Sequence, residues 1–280
     1  MVTPVKKSFP PPPVSQAPSS NGVQFGKIQK AAGHRIVLYG PGGIGKTTLA
    51  ANSVRPVAFI DLDDSLSRLL PQLEAAGLDQ NIRPVSGIET FKALRDALHA
   101  PGWNDIGTIV IDSATKAEEL CIADTLANVP HEKGHKVKSI EDYGYGKGYT
   151  HVFDTFLPLL SDLDAHARAG RHIILICHDC TTTVPNPAGD DWLRYEPRLQ
   201  SPASGKASIR LRTREWADHM LFYGYDVDVT KDGKGKGAGC RTIYPSELPH
   251  CMAKSRTLRY PLPIQNPGPE VWENVFKGNS

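Results

Sequence analysis

Gly40-Pro-Gly-Gly-Ile-Gly45-Lys46-Thr47 combines glycines, a lysine and a hydroxyl in the frame G-x-x-x-x-G-K-[ST]. That spacing suits the holding of phosphates. Glycines let backbone N–H groups turn inward around an anion, and the N-terminus of a following helix adds positive potential. Lys46 has the reach for β- and γ-phosphate oxygens, and the Thr47 hydroxyl is a ligand for Mg²⁺. The nucleotide-binding stretch is therefore Gly40, Pro41, Gly42, Gly43, Ile44, Gly45, Lys46, Thr47 and Thr48, with ATP as the nucleotide and Mg²⁺ beside it.

Other polar residues stand where a phosphate-handling site needs them. Asp112 closes the apolar run Thr108-Ile-Val-Ile and is the expected acidic partner of Mg²⁺ together with Thr47. The plainer alternative is a strand-end Asp capping a helix. Asp61, Asp63 and Asp64 follow another apolar run, and one of them is placed to orient or deprotonate an attacking water. Spacing alone leaves open which one, and a solvated N-cap cluster is the competing reading. His178 follows His172-Ile-Ile-Leu-Ile-Cys177 and can hydrogen-bond a γ-phosphate, or be an ordinary strand-end histidine. Cys177-His-Asp-Cys180 invites a zinc reading, but no second pair at ligand spacing exists.

These residues need a scaffold, and the apolar runs supply one. Arg35–Gly40, Pro56–Asp61, Thr108–Asp112 and His172–Cys177 read as buried strands. Helical spacing falls between them: Lys46–Asn52, Glu89–Ala100, a helix through Leu120 and Ile122, and one carrying Val152, Phe153, Phe156, Leu160 and Leu163. Continuous apolar strands alternating with helices predict a mainly parallel sheet covered on both faces. The carboxyl ends of its strands form the ligand crevice. Residues 129–149 read as a loop and 181–215 as a long irregular segment opening a short helix. His219–Val229 and Arg241–Tyr244 predict a C-terminal β-hairpin around a flexible turn at Lys231–Ala238.

The chain has 280 residues, 40% hydrophobic and 22% charged, with a net charge of +2, so composition fits one α/β domain and dictates no partner. No apolar run approaches the roughly 18 residues of a membrane helix. No apolar signal core opens the chain. Five cysteines without framework spacing suit a reduced, cytoplasmic setting. Residues 1–22 read as a disordered Pro-rich tail, 23–262 as the core and 263–280 as a C-terminal tail.

The motifs resemble a known family. Ala58-Phe-Ile-Asp-Leu-Asp63 is similar to the RecA pattern Phe-Ile-Asp-Ala-Glu, whose Glu is the catalytic carboxylate; the resemblance gives that role to Asp63. Ile109-Val-Ile-Asp112-Ser113 resembles the Val-Asp-Ser of the RecA magnesium strand, and His178 stands where RecA-type enzymes place a γ-phosphate-sensing Gln. The fold implied is a RecA-like P-loop NTPase. A narrower resemblance is to phage-encoded ATP-binding proteins with only a RecA core, including Sak-type single-strand annealing proteins. It is carried by Tyr143-Gly-Tyr-Gly-Lys-Gly-Tyr149, Leu175-Ile-Cys-His178, Arg194-Tyr-Glu-Pro-Arg-Leu199, Glu215-Trp-Ala-Asp-His-Met-Leu221 and Ala253-Lys-Ser-Arg256, over residues 33–262.

That resemblance implies a DNA-stimulated ATPase that binds single-stranded DNA and promotes annealing or recombination in a bacterial cytoplasm. Asp63 is a methylene shorter than Glu and His178 replaces Gln, which points to slow turnover. Lys136, Lys138 and Lys147 interleaved with Tyr143 and Tyr145 have a single-strand-binding composition, as does the cationic run holding Arg194, Arg198, Lys206 and Arg210. RecA-like proteins place DNA loops at these two positions. Solvated loops are the competing reading. Lys254-Ser-Arg256 resembles the Lys-x-Arg fingers that reach a neighbour's γ-phosphate, which implies a homo-oligomeric ring or filament. A single-strand-binding protein is a further candidate partner, and no membrane is. The rival functions are a P-loop kinase of a small molecule and a nucleotide-gated switch that loads a protein partner.

Overall fold

The computed structural model describes Lys27, residues 33–229 and residues 235–279. The chain divides into Met1–Lys30 and Ala31–Ser280, and the fold below is that of the second unit. The expected tail at 1–22 lies outside the described residues.

The strands are β1 (Arg35–Tyr39), β2 (Val57–Asp61), β3 (Ile82–Pro84), β4 (Thr108–Asp112), β5 (His172–Cys177), β6 (Asp179–Val184), β7 (Trp192–Pro197), β8 (His219–Val229), β9 (Gly235–Tyr244) and β10 (Leu262–Ile264). The helices are α1 (Lys46–Ala51), α2 (Ser65–Ala75), α3 (Phe91–His99), α4 (Ala114–Asn128), α5 (Lys147–Arg168), α6 (Ile209–Trp216) and α7 (Pro269–Lys277). One sheet runs β10-β9-β8-β1-β5-β4-β2-β3, and β6-β7 form a separate ribbon. From β3 to β8 every pairing is parallel, while β8-β9 and β9-β10 are antiparallel. This is the helix-flanked, mainly parallel α/β sheet with a C-terminal hairpin expected of a RecA-like P-loop NTPase.

Side chains alternate across a strand, so each apolar strand feeds both faces. Ile36 and Leu38 pack with Leu49 of α1, Leu73 of α2 and Trp272 of α7. Val37 and Tyr39 face the other way, toward Leu94 of α3, Cys121 of α4 and Val152 and Phe156 of α5. Both faces are dry, which is why these strands read as unbroken apolar runs. Side-chain caps set several helix starts: Thr90 accepts from the Ala93 N–H, Ser113 from Lys116 and Ser208 from Leu211.

Some expectations fail. Residues 181–215 open the expected short helix, α6, but are irregular only in part: Thr181–Val184 and Trp192–Pro197 pair as a ribbon, with Thr182 opposite Arg194. β-branched and aromatic residues drive it, whereas the glycines and all prolines but Pro197, the last residue of β7, fall in its turn or on the approach to α6. Nor are residues 263–280 a tail. Pro269 occupies the first turn of α7, where a missing N–H costs nothing. Val271, Trp272 and Val275 then bury one face, and the Trp272 indole donates to Leu49 O at 2.8 Å. The segment 129–149 is only partly a loop, since Ile140–Tyr143 form a 3-10 turn and α5 starts at Lys147. Of the expected turn Lys231–Ala238, residues 231–234 lie outside the described residues, and the rest belongs to β9.

Candidate nucleotide-binding site

The loop after β1 turns sharply beneath β8. A Cβ on Gly40 would lie 1.9 Å from Tyr223 O, so no larger residue fits. Gly45 takes the left-handed conformation (φ 103°) that opens α1, where glycine carries no steric penalty. Lys46 Nζ donates to Gly40 O at 2.6 Å and Pro41 O at 2.9 Å, folding back on its own loop. Burial lowers its pKa from the ordinary lysine value, and the nearby Asp179 and Asp112 oppose that shift. An ammonium held by two carbonyls in a partly dry pocket is ready to exchange them for a stronger anionic acceptor.

The sheet register sets the acidic side of the site. Asp61 at the end of β2 stands beside Asp112 at the end of β4, and Asp112 beside Ile176 near the end of β5. The Thr47 hydroxyl donates to Asp112 Oδ2 at 2.6 Å. Asp112 is 4% exposed, and burial pushes its pKa up to about 6; Asp61 and Asp63 add to the rise while the Thr47 bond and Lys46 oppose it. A divalent cation would relieve that crowding of negative charge. The donor set fits Mg²⁺, which binds through one or two protein oxygens, substrate phosphates and water. Among the described residues no cluster of His, Cys, Asp and Glu could hold a metal unaided. Cys177 is buried and Cys180 partly so, both as free thiols.

The neighbouring carboxylates separate by what they touch. Asp61 accepts from the Ser65 N–H at 2.9 Å and the Leu66 N–H at 2.8 Å, anchoring the start of α2. Asp63 Oδ2 instead faces His178 Nε2 at 3.2 Å. Asp64 is exposed and adopts a left-handed φ of 53° ahead of α2. Arg198, expected on a DNA loop, places its guanidinium 3.3 Å from His178 Nδ1.

Sequence reasoning missed Arg241. It lies on β9, and its guanidinium donates to Ile44 O at 3.1 Å. With Gly43, Gly45, Thr48, Leu69, Gln72 and Pro267 it lines a cleft of ≈ 340 Å³ beside Lys46 and Thr47. Leu69 and Pro267 offer apolar contact for a base, and the cation suits the phosphates of a nucleotide. Nothing local marks Arg241, because its loop partner is 197 residues away in the chain.

The structure sorts the expected DNA contacts. Lys136, Lys138, Lys147, Arg198 and Lys206 are exposed, and Tyr145 is fully so. Lys147 pairs with Glu132 at 2.6 Å. Three expectations need correction. Tyr143 is 5% exposed and donates to Val129 O at 2.7 Å, so its ring is a core element rather than a stacking platform. Arg194 is buried between Glu196 (2.7 Å) and Glu247 (2.6 Å). Arg210 is buried against Glu196 and donates to Leu199 O at 3.1 Å. Both arginines bond inside the fold through their terminal guanidinium nitrogens, while Arg210 Nε is buried without a partner.

Lys254 and Arg256 are not brought to this chain's own phosphate loop. They lie at the amino end of the sheet, where Arg256 pairs with Asp218 at 2.8 Å with its side chain 66% exposed. Lys254 Nζ reaches Glu215 O at 3.4 Å. Among the described residues, no helix is long and apolar enough to cross a membrane.

No curated protein matches this chain. Among solved structures, the RadB recombinase aligns at 16% identity and a TM-score of 0.38, over 76% of this chain and 80% of that one. A KaiC-like protein from the hyperthermophilic archaeon Pyrococcus horikoshii OT3 aligns at 16% identity and a TM-score of 0.39, over 76% and 77%. The model of the AAA domain matches residues 32–257, which hold the phosphate loop, the Asp112 strand and the His178 strand. With most of its length matched, the chain belongs to the AAA domain family.

Proposed function

We propose that this protein binds and hydrolyses ATP at the carboxyl end of its sheet, and that hydrolysis serves binding and annealing or recombination of single-stranded DNA. One arrangement carries the ATPase reading. Lys46, the Thr47–Asp112 pair and the Asp63–His178 pair come from separate elements and converge beside one glycine loop. Lys46 exchanges its loop carbonyls for β- and γ-phosphate oxygens. Thr47 and Asp112 would hold Mg²⁺, which would supply neutralisation of phosphate charge when bound. Asp63 accepts the proton of a water attacking the γ-phosphorus, and ADP leaves. Arg241 steadies the loop through Ile44 and borders the base.

The DNA reading rests on less. Lys136, Lys138, Tyr145 and Lys206 remain exposed cations and an aromatic face, a composition that binds single strands by phosphate contact and stacking. Lys254 and Arg256 lie away from their own site, which suits a finger offered to a neighbouring subunit's γ-phosphate in a ring or filament. The Sak-type, phage-encoded identity rests on the sequence resemblance alone.

The test is ATP hydrolysis with and without single-stranded DNA, with Lys46→Ala as control. The expected result is turnover that rises with DNA and falls about 100-fold or more in the variant. Turnover that ignores DNA, with no DNA binding at low salt, leaves the ATPase and removes the recombination reading in favour of a nucleotide-gated switch. Phosphate transfer to a small acceptor would mark a kinase.

A further inference from the structure

Arg198 is the one expected DNA contact whose side chain enters the candidate site. Its backbone is held on both sides. The Arg198 N–H donates to His178 O at 2.8 Å, and Arg198 O accepts from the Thr115 hydroxyl at 3.2 Å. Thr115 Oγ1 in turn accepts from the His178 N–H at 3.1 Å. Two residues on, the Gln200 N–H donates to Glu118 Oε1 at 2.6 Å. The segment is thus pinned to α4, and the place from which the Arg198 guanidinium starts is fixed by the fold.

A guanidinium only donates. Arg198 Nη2, 3.3 Å from His178 Nδ1, therefore makes Nδ1 the acceptor, and an imidazole accepting at Nδ1 carries its proton on Nε2. Nε2 faces Asp63 Oδ2 at 3.2 Å, so the proton is donated there. The order Arg198 to His178 to Asp63 is then set by hydrogen-bond chemistry.

We propose that Arg198 is a positioning residue for ATP hydrolysis. It locks the His178 ring so that Nε2–H holds one oxygen of Asp63 and leaves the other for the attacking water. The inference rests on the ATPase reading above, and it gives Arg198 a role inside the site rather than on DNA. Arg198 touches no substrate in this account and acts through His178 alone.

Two measurements test it, both without DNA. In kinetics, Arg198→Ala lowers kcat about 10-fold with KM within about twofold, the pattern of a group felt in the transition state. Arg198→Lys, which still donates, restores most of the rate. In a His178→Ala background, Arg198→Ala has no further effect, because the two residues act as one unit. Equal losses in both backgrounds, a change confined to KM, or a loss seen only in DNA-stimulated turnover would overturn the proposal. The second measurement is the ¹⁵N signal of His178 Nδ1. It moves in Arg198→Ala and returns toward its position in Arg198→Lys; an unmoved signal overturns the contact. If the wild type hydrolyses no more ATP than Lys46→Ala, the ATPase reading has failed, and the nitrogen signal still decides whether Arg198 holds His178.

Discussion

The two ends of the central sheet use the same residue types for opposite purposes. At the carboxyl end, His178 is exposed and pairs with Asp63, and Lys46 makes bonds to its own loop that a phosphate can replace. At the amino end, His34, His172 and His219 stack where β1, β5 and β8 begin. His34 Nδ1 meets His219 Nε2 at 2.8 Å, and His219 Nδ1 meets Ser255 Oγ at 2.8 Å. Beside them Arg35 joins Asp218 (3.0 Å) to Asp164 (2.8 Å). His219 has no exposed surface and His172 stacks on Phe276 at 4.1 Å, so this end clamps the strand starts to α7. Histidine and carboxylate carry chemistry only where their partners can be exchanged; where their partners fill the space, they carry stability.

The contrast can be broken first with acid. Burial lowers the pKa values of His172 and His219 to about 4, and His34 is lowered too. At His219 the charges of His34, Arg256 and Lys254 push the same way and Asp218 opposes. A histidine lowered in the folded state gives stability that is fully present above its unfolded pKa near 6.5 and is lost as pH falls through the folded value. Urea unfolding should therefore lose roughly 3 kcal/mol through His219 between pH 7 and pH 4, at about 1.4 kcal/mol per pKa unit. His219→Gln should flatten that slope whatever its own stability. Parallel curves for variant and wild type would place the sensitivity elsewhere.

A smaller effect sharpens the contrast within the carboxyl end. Asp61 caps α2 with two backbone bonds, so Asp61→Ala should cost about 1 kcal/mol of stability. Turnover of the folded variant should stay within a few-fold of wild type. A collapse of hydrolysis at unchanged stability would make Asp61, not Asp63, the working carboxylate.

The sequence made one half of this picture legible. The glycine loop and the β1, β2, β4 and β5 strands follow from motif and apolar runs, because a strand covered on both faces leaves a local signature. The β6-β7 ribbon was missed although Cys180-Thr-Thr-Thr-Val184 is rich in β-branched residues; the prolines nearby masked it. Helix α7 was hidden the same way, its Val271, Trp272 and Val275 following four prolines within residues 261–269. Charge was the least legible property. Arg194 and Arg210 look identical to Arg198 in sequence; Glu196, two residues along β7 from Arg194 and packed against Arg210 of α6, together with Glu247 turns the first two into buried ion pairs, whereas Arg198 stays exposed. Arg198 and His178 meet because β6 and β7 fold back on each other, and Arg241 meets the phosphate loop because β9 returns antiparallel beside β8; both are long-range results of topology.

If Asp63, held by His178 at the carboxyl end of the sheet, serves the hydrolysis of ATP, removing its carboxylate must slow the chemical step. Single-turnover phosphate release from Mg-ATP in Asp63→Asn tests it most directly. ATP affinity should stay within about threefold of wild type and phosphate release should slow about 100-fold or more, since a general base has been removed. Wild-type release from the Asp63→Asn variant would contradict it.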